Sequence, residues 1–180
     1  ELVRTLVASV EAAQIKTTIE KLSTFKNRYY KSKTGVASQK FVKETWEGLV
    51  QGRSDASVEY FEHKSWAQPS VILTIKGSKT PNEVIIIGGH ADSIAGYFGG
   101  ANARAPGADD NASGISTITE VVRVLIANNY RPSKTLKFMG YAAEEVGLRG
   151  SKEIAQSFKA NAVNVIGVMQ LDMTNYNGSD

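Results

Sequence analysis

Residues 84–93 read Val-Ile-Ile-Ile-Gly-Gly-His-Ala-Asp-Ser. Four consecutive β-branched apolar residues predict a strand. A strand on a half-exposed sheet alternates apolar and polar residues, whereas this one has no polar face to turn to water. Its sheet must therefore be covered on both sides, the condition of an α/β protein with helices on each face. The same run ends on two glycines and His90, one of only two histidines in 180 residues.

The rest of the chain is consistent with that requirement. Residues 10–25 space Ile15, Ile19 and Leu22 at helical intervals, and 26–36 read as a polar loop around Gly35. A second helical pattern over 37–52 carries Phe41, Val42, Trp46 and Leu49 and closes at Gly52. Strands follow at 57–63, 70–78 and 83–88. The segment 93–114 is rich in Gly, Ala and Asn, too long for a connector and too small-residued to pack, which suits a site-forming loop. A helix with Ile115, Ile118, Val122 and Leu125 on one face comes next, then a strand at 134–143, a loop and helix over 147–161, and a buried strand over 163–173. Helices alternating with apolar strands predict one α/β domain with a largely parallel centre, without repeat or linker.

Several function classes find no support. The net charge is +3, with lysines and arginines scattered and no basic run interleaved with aromatics, so nucleic-acid binding is not expected. No apolar stretch approaches membrane-spanning length, and no signal peptide starts at Glu1. Cysteine is absent, which removes disulfides, thiolate metal sites and cysteine nucleophiles. Any metal would be held by His, Asp and Glu.

Those residues gather at strand ends. His90 and Asp92 follow one strand, Glu144 and Glu145 a second, and Asp172 a third, while Asp109 and Asp110 precede the helix near Ala112. In open α/β sheets sites form beyond the carboxyl ends of strands. Taken singly, each residue has an ordinary reading: a structural histidine, a helix cap, a solvated turn. Together, converging carboxylates would repel one another unless a cation neutralised them. Oxygen ligands with a single nitrogen permit Zn, Mn, Co or Mg, and a free glutamate beside the ligands suits hydrolytic zinc. His63 lies on a strand far from this rim and is expected to be structural or exposed.

The segments GGHADS, APGADDNASG, YAAEEVGLRGS and QLDMTNY resemble the successive metal-site motifs of the co-catalytic zinc aminopeptidases of peptidase family M28, especially the secreted bacterial leucyl enzymes of Vibrio type. His90, Asp110, Glu145 and Asp172 are spaced by 20, 35 and 27 residues, in the family's order. The resemblance implies a three-layer αβα sandwich with a mixed, centrally parallel sheet of the zinc-exopeptidase kind. It implies that His90 and Asp172 bind one zinc, that Asp110 bridges to a second, and that Glu145 binds that second zinc. Glu144 would be the general base, Asp92 would orient His90 and complete the catalytic set, and Met173 would line the pocket for the substrate's first side chain. The Asp110–Asn111 peptide would be cis.

The resemblance further implies peptide substrates with apolar, leucine-like N-terminal residues, and an extracellular location. A fifth ligand, a histidine, lies downstream in the family. The 180 residues are therefore expected to be the N-terminal two-thirds of one catalytic domain, to hold at most one zinc tightly, to be weakly active, and to self-associate through uncovered sheet. The rival readings are a single-zinc transferase of glutaminyl-cyclase type and a non-catalytic binding domain of peptidase ancestry.

Overall fold

The computed structural model describes residues 1–178, the side chain of Tyr97 excepted. Five strands form one sheet: β1 (Ala56–Phe61), β2 (Ser70–Ile75), β3 (Thr80–His90), β4 (Lys134–Tyr141) and β5 (Asn164–Gln170), in the order β1-β2-β4-β3-β5. The β1–β2 and β2–β4 pairs are antiparallel, whereas β3 runs parallel to both β4 and β5. The sheet is mixed, with its parallel part where the isoleucine run predicts it.

Helices are α1 (Leu2–Ala8), α2 (Ala12–Ser23), α3 (Lys33–Leu49), α4 (Gly96–Gly99), α5 (Gly114–Ala127) and α6 (Arg149–Ala160). The larger core lies on the α3/α5 face, where Trp46, Ile115, Ile118 and Val122 pack on Val71, Leu73, Ile75 and Phe138. Inside it the Trp46 indole N–H donates to Thr119 Oγ1 at 2.9 Å, so its polar atom is not stranded. On the opposite face Ile72, Val84, Ile86 and Met139 pack against Ile154 and Phe158 of α6. Val84 and Ile86 thus point to one layer and Ile87 to the other, as a strand without a polar side must. Among the described residues no helix is long and apolar enough to cross a membrane.

Two local readings are corrected, and one element is added. The N-terminal residues 2–8 form a helix that the sequence pattern does not announce. Helix α3 begins at Lys33, four residues before its apolar periodicity, because Ser32 Oγ accepts the Gly35 amide at 2.8 Å and caps it. Gly35 is therefore not a loop residue. It sits where a Cβ would come within 2.1 Å of the Tyr29 carbonyl oxygen. The second correction concerns β5, which is not buried: Ile166, Val168 and Met169 are exposed. Among the described residues only β3 pairs with it, and α6 leaves an apolar cleft of about 820 Å³ lined by Ile86, Phe158, Val165 and Val168.

Candidate metal centre

The two glycines that precede His90 are demanded by close approach. A Cβ on Gly88 would lie 2.4 Å from the Tyr141 ring, and one on Gly89 would lie 2.9 Å from the Leu171 carbonyl oxygen. Their absence of side chains lets the ends of β4 and β5 close on β3, with Leu171 N–H donating to Gly88 O at 2.8 Å. The carboxyl ends of the three parallel strands then share one rim, and an irregular turn, Ala108–Ser113, brings Asp110 to it ahead of α5.

Within the turn, Asp110 and Asn111 have non-helical backbone and the peptide between them is cis. Asn111, which the sequence marks only for its peptide bond, carries the join to β5 through its side chain. Its Oδ1 accepts from Gly114 N–H (3.0 Å) and Met173 N–H (3.2 Å), and its Nδ2 donates to Leu171 O (2.9 Å). Asp109 Oδ1 accepts from Asn175 N–H and Ser113 Oγ from Thr174 N–H, so the turn and residues 171–175 are stitched together. An Asn beside two Asp residues reads as one more polar turn residue, and no periodicity distinguishes it.

His90 is buried at the centre. Its Nε2 lies 2.9 Å from Asp110 Oδ1, 3.5 Å from Asp172 Oδ1 and 3.9 Å from Glu144 Oε2. His90, Asp110 and Glu145 each offer a ligand atom within 4.8 Å of the others. The rim is open: the His90 side chain is 1% exposed, whereas Asp110 and Asp172 are 49% and 43% exposed. Asp172, at the exit of β5, is thus about half exposed. Met173 follows it with a left-handed backbone and a partly exposed side chain.

Asp92 does more than face His90. Nδ1 of His90 meets the Asp92 main-chain carbonyl at 3.2 Å and its carboxylate at 3.5 Å. Both carboxylate oxygens accept main-chain amides, Glu144 N–H at 2.9 Å and Glu145 N–H at 3.2 Å. Asp92 thus ties the histidine segment to the glutamate loop.

The electrostatics report crowding. Burial alone would lower the His90 imidazole, but the carboxylates of Asp92, Glu144 and Asp172 outweigh it and hold it at about 9. Burial, then the charge of Asp110, pushes Glu145 up to about 7, and burial raises Glu144 as well. Carboxylates pushed up by burial and by one another's charge are groups whose ionised form a divalent cation would favour. The donor set, one imidazole nitrogen with clustered carboxylate oxygens, fits such an ion.

His63 is structural, and buried rather than exposed. Its Nδ1 meets Glu153 and its Nε2 meets Ser70 Oγ, both at 2.8 Å, and its ring stacks on Trp66. Ser70 Oγ also accepts the Ala142 amide at 2.9 Å, two residues before Glu144.

An α/β sheet with a histidine and clustered carboxylates beyond the carboxyl ends of its parallel strands places a candidate cation site on that rim. The profile of Peptidase family M28 matches residues 70–180, and the chain belongs to that family. It is 39% identical to leucine aminopeptidase 1 of Pyrenophora teres f. teres over 98% of this chain and 46% of that protein. It is 35% identical to a probable aminopeptidase of Saccharomyces cerevisiae over 98% of this chain and 48% of that one. LapB from Legionella pneumophila superposes with a TM-score of 0.86 at 34% identity, covering 96% of this chain and 46% of LapB. The chain thus spans about half the length of the relatives it matches. A glutaminyl cyclase of Bacteroides thetaiotaomicron shares the fold at 16% identity, with a TM-score of 0.69.

Proposed function

We propose that this chain forms the metal-binding part of a zinc aminopeptidase that removes apolar, leucine-like N-terminal residues from peptides outside the cell. The observation that carries the reading is the convergence of the His90, Asp110 and Glu145 ligand atoms within 4.8 Å. Its support is family membership and relatives named as leucine aminopeptidases.

His90, Asp110 and Asp172 would hold one zinc, and Asp110 with Glu145 a second. Bound zinc supplies Lewis acidity and lowers the pKa of a water. Glu144, half-buried and held above its ordinary pKa by that burial, is suited to accept a proton at Oε2 and return it to the departing amine. Asp92 fixes the Glu144 and Glu145 amides, so it would aim the base through the main chain of that loop. Met173 would face the substrate's first side chain.

Among the described residues the ligand sets are unequal. One zinc would have three protein groups, the other only two carboxylates, because His63 is committed to Glu153 and Ser70. The chain by itself therefore holds at most one zinc tightly and turns over slowly, and exposed β5 lets it self-associate. Adjacent Glu144 and Glu145, one for the metal and one for the proton, favour the peptidase over the cyclase reading.

Zinc titration of the chain against a chelator, with leucyl anilide hydrolysis by the natural protein, tests this. One tight zinc and leucyl hydrolysis are expected. Cyclisation of N-terminal glutamine without hydrolysis would select the transferase, and zinc binding without either activity would select a binding domain.

A further inference from the structure

Arg28 is completely buried, in a segment that reads as a solvated polar loop. No carboxylate among the described residues pairs with it directly. Its donors go instead to main-chain carbonyls of three segments: Nε to Ala91 O at 2.9 Å, Nη2 to Gly107 O at 2.9 Å, and Nη1 to Pro106 O and to Leu22 O. Ala91 lies between His90 and Asp92, and Pro106–Gly107 lead into the turn that carries Asp110. The main chain of Arg28 reinforces the link, since its N–H donates to Ser93 Oγ, which donates to Ala105 O at 2.7 Å. Gly107 is shaped to the guanidinium: a Cβ there would lie 2.7 Å from Nη2, and its φ of +51° is left-handed.

A planar fork of fixed donors suits this task and an ammonium does not, because only the fork can reach separate carbonyls in set directions. A buried cation without an ion pair is costly unless an opposite field offsets the loss of water. Asp92, Asp110 and Glu145 supply that field from the rim, and the same cation offsets their mutual repulsion.

We propose that Arg28 is the positioning residue of the metal centre, its guanidinium setting the separation of the His90–Asp92 strand exit from the Asp110 turn and its charge balancing the carboxylates between them. The inference rests on the metal-site reading above. Arg28 touches neither metal nor substrate, and acts through the carbonyls of Ala91, Pro106 and Gly107.

The test compares Arg28→Lys, which keeps charge but loses the fork, and Arg28→Gln, which loses both, with Val122→Ala, a core variant remote from the rim. Zinc affinity is read by chelator competition, and amide exchange at Ala105 and Ala112 is read without metal. Zinc affinity should fall about tenfold or more in Arg28→Lys relative to Val122→Ala, the usual scale for groups that hold ligands in place, and further in Arg28→Gln. Exchange at Ala112, whose N–H donates to Gly107 O, should quicken in both. Should the Arg28 variants not fold, Ser93→Ala, which removes the Arg28 N–H acceptor without leaving a buried charge, should weaken zinc in the same direction by a smaller factor. A folded Arg28→Lys, or in its place Ser93→Ala, with the zinc affinity and Ala112 protection of Val122→Ala overturns the proposal. A wild-type chain that binds no divalent cation would sink the metal reading alone. Ala112 protection lost in Arg28→Lys would then still uphold the positioning of the turn, and protection kept would overturn it.

Discussion

Zinc affinity should rise steeply with pH, and the slope follows from His90. In the metal-free chain the surrounding carboxylates hold its imidazole at about 9. A metal requires the neutral ring, so proton and cation compete for Nε2. At pH 7 only about one molecule in a hundred has that nitrogen free, which places the apparent affinity about a hundredfold below its limit. Glu145, at about 7, adds a further factor of roughly two at pH 7 and about ten at pH 6. Affinity should therefore gain about tenfold per unit from pH 7 toward 9, and more than tenfold between 6 and 7. Stability of the metal-free chain should move the opposite way. His90 is raised above its unfolded value, so its contribution is complete below about 6.5 and is lost as pH rises through 9, about 3 kcal/mol in all. Glu145 is also raised, and what its proton contributes is lost as pH rises through about 7. Competition with a chelator of known protonation, paired with denaturant unfolding with and without zinc, measures both. An affinity flat between pH 7 and 9, or a metal-free chain that gains stability over that range, would refute the crowded-site electrostatics.

Four further substitutions probe separate parts of the structure. Glu144→Gln should leave zinc binding within about threefold while cutting leucyl anilide turnover by at least about a hundredfold in the natural protein; loss of metal instead would make Glu144 a ligand. Asp92→Ala should weaken zinc by roughly ten- to a hundredfold, since it removes the carboxylate beside the His90 ring and frees the Glu144 and Glu145 amides, and an unchanged Kd in chelator competition would reduce Asp92 to a turn residue. His63→Ala strips Ser70 and Glu153 of their partner and should cost about 2–4 kcal/mol in urea unfolding, whereas a loss under about 0.5 kcal/mol would show the network to be idle. Val168→Lys should shift the chain toward monomer in sedimentation, because a lysine on β5 opposes edge pairing, and an unchanged distribution would place self-association elsewhere.

What the sequence made legible was periodic or chemically singular. The isoleucine run announced a two-faced strand because burial on both sides leaves no place for a polar residue, and Ile86 and Ile87 do enter opposite layers. His90 and the acids stood out because strand ends are few and acids converging on them need a reason. Arg28, Asn111 and the Ser32 cap were not legible for a common cause. Each is a polar residue in a polar segment, and each acts through main-chain atoms that a sequence does not display. The burial of β5 was misjudged because apolar content reports only what a strand could bury. Its burial depends on what covers it, and among the described residues it pairs with β3 alone.

Among the described residues the candidate site has two unequal halves. His90, Asp92 and Arg28 are buried and bonded to fixed main chain, so their geometry exists before any metal arrives. Asp110 and Asp172 are nearly half exposed, and Asp172 is held through its neighbours, by the Leu171 and Met173 bonds to Asn111 and the Leu171 bond to Gly88. Exposed carboxylates keep their hydration, whereas the buried histidine is ordered at a desolvation cost already met in folding. An incoming cation would then exchange water for carboxylate oxygens on the open side and take a prepared nitrogen on the closed side. Asn111 is the joint between those halves, since its one carboxamide holds the Asp110 turn and the Asp172 segment together while neither carboxylate bears that load.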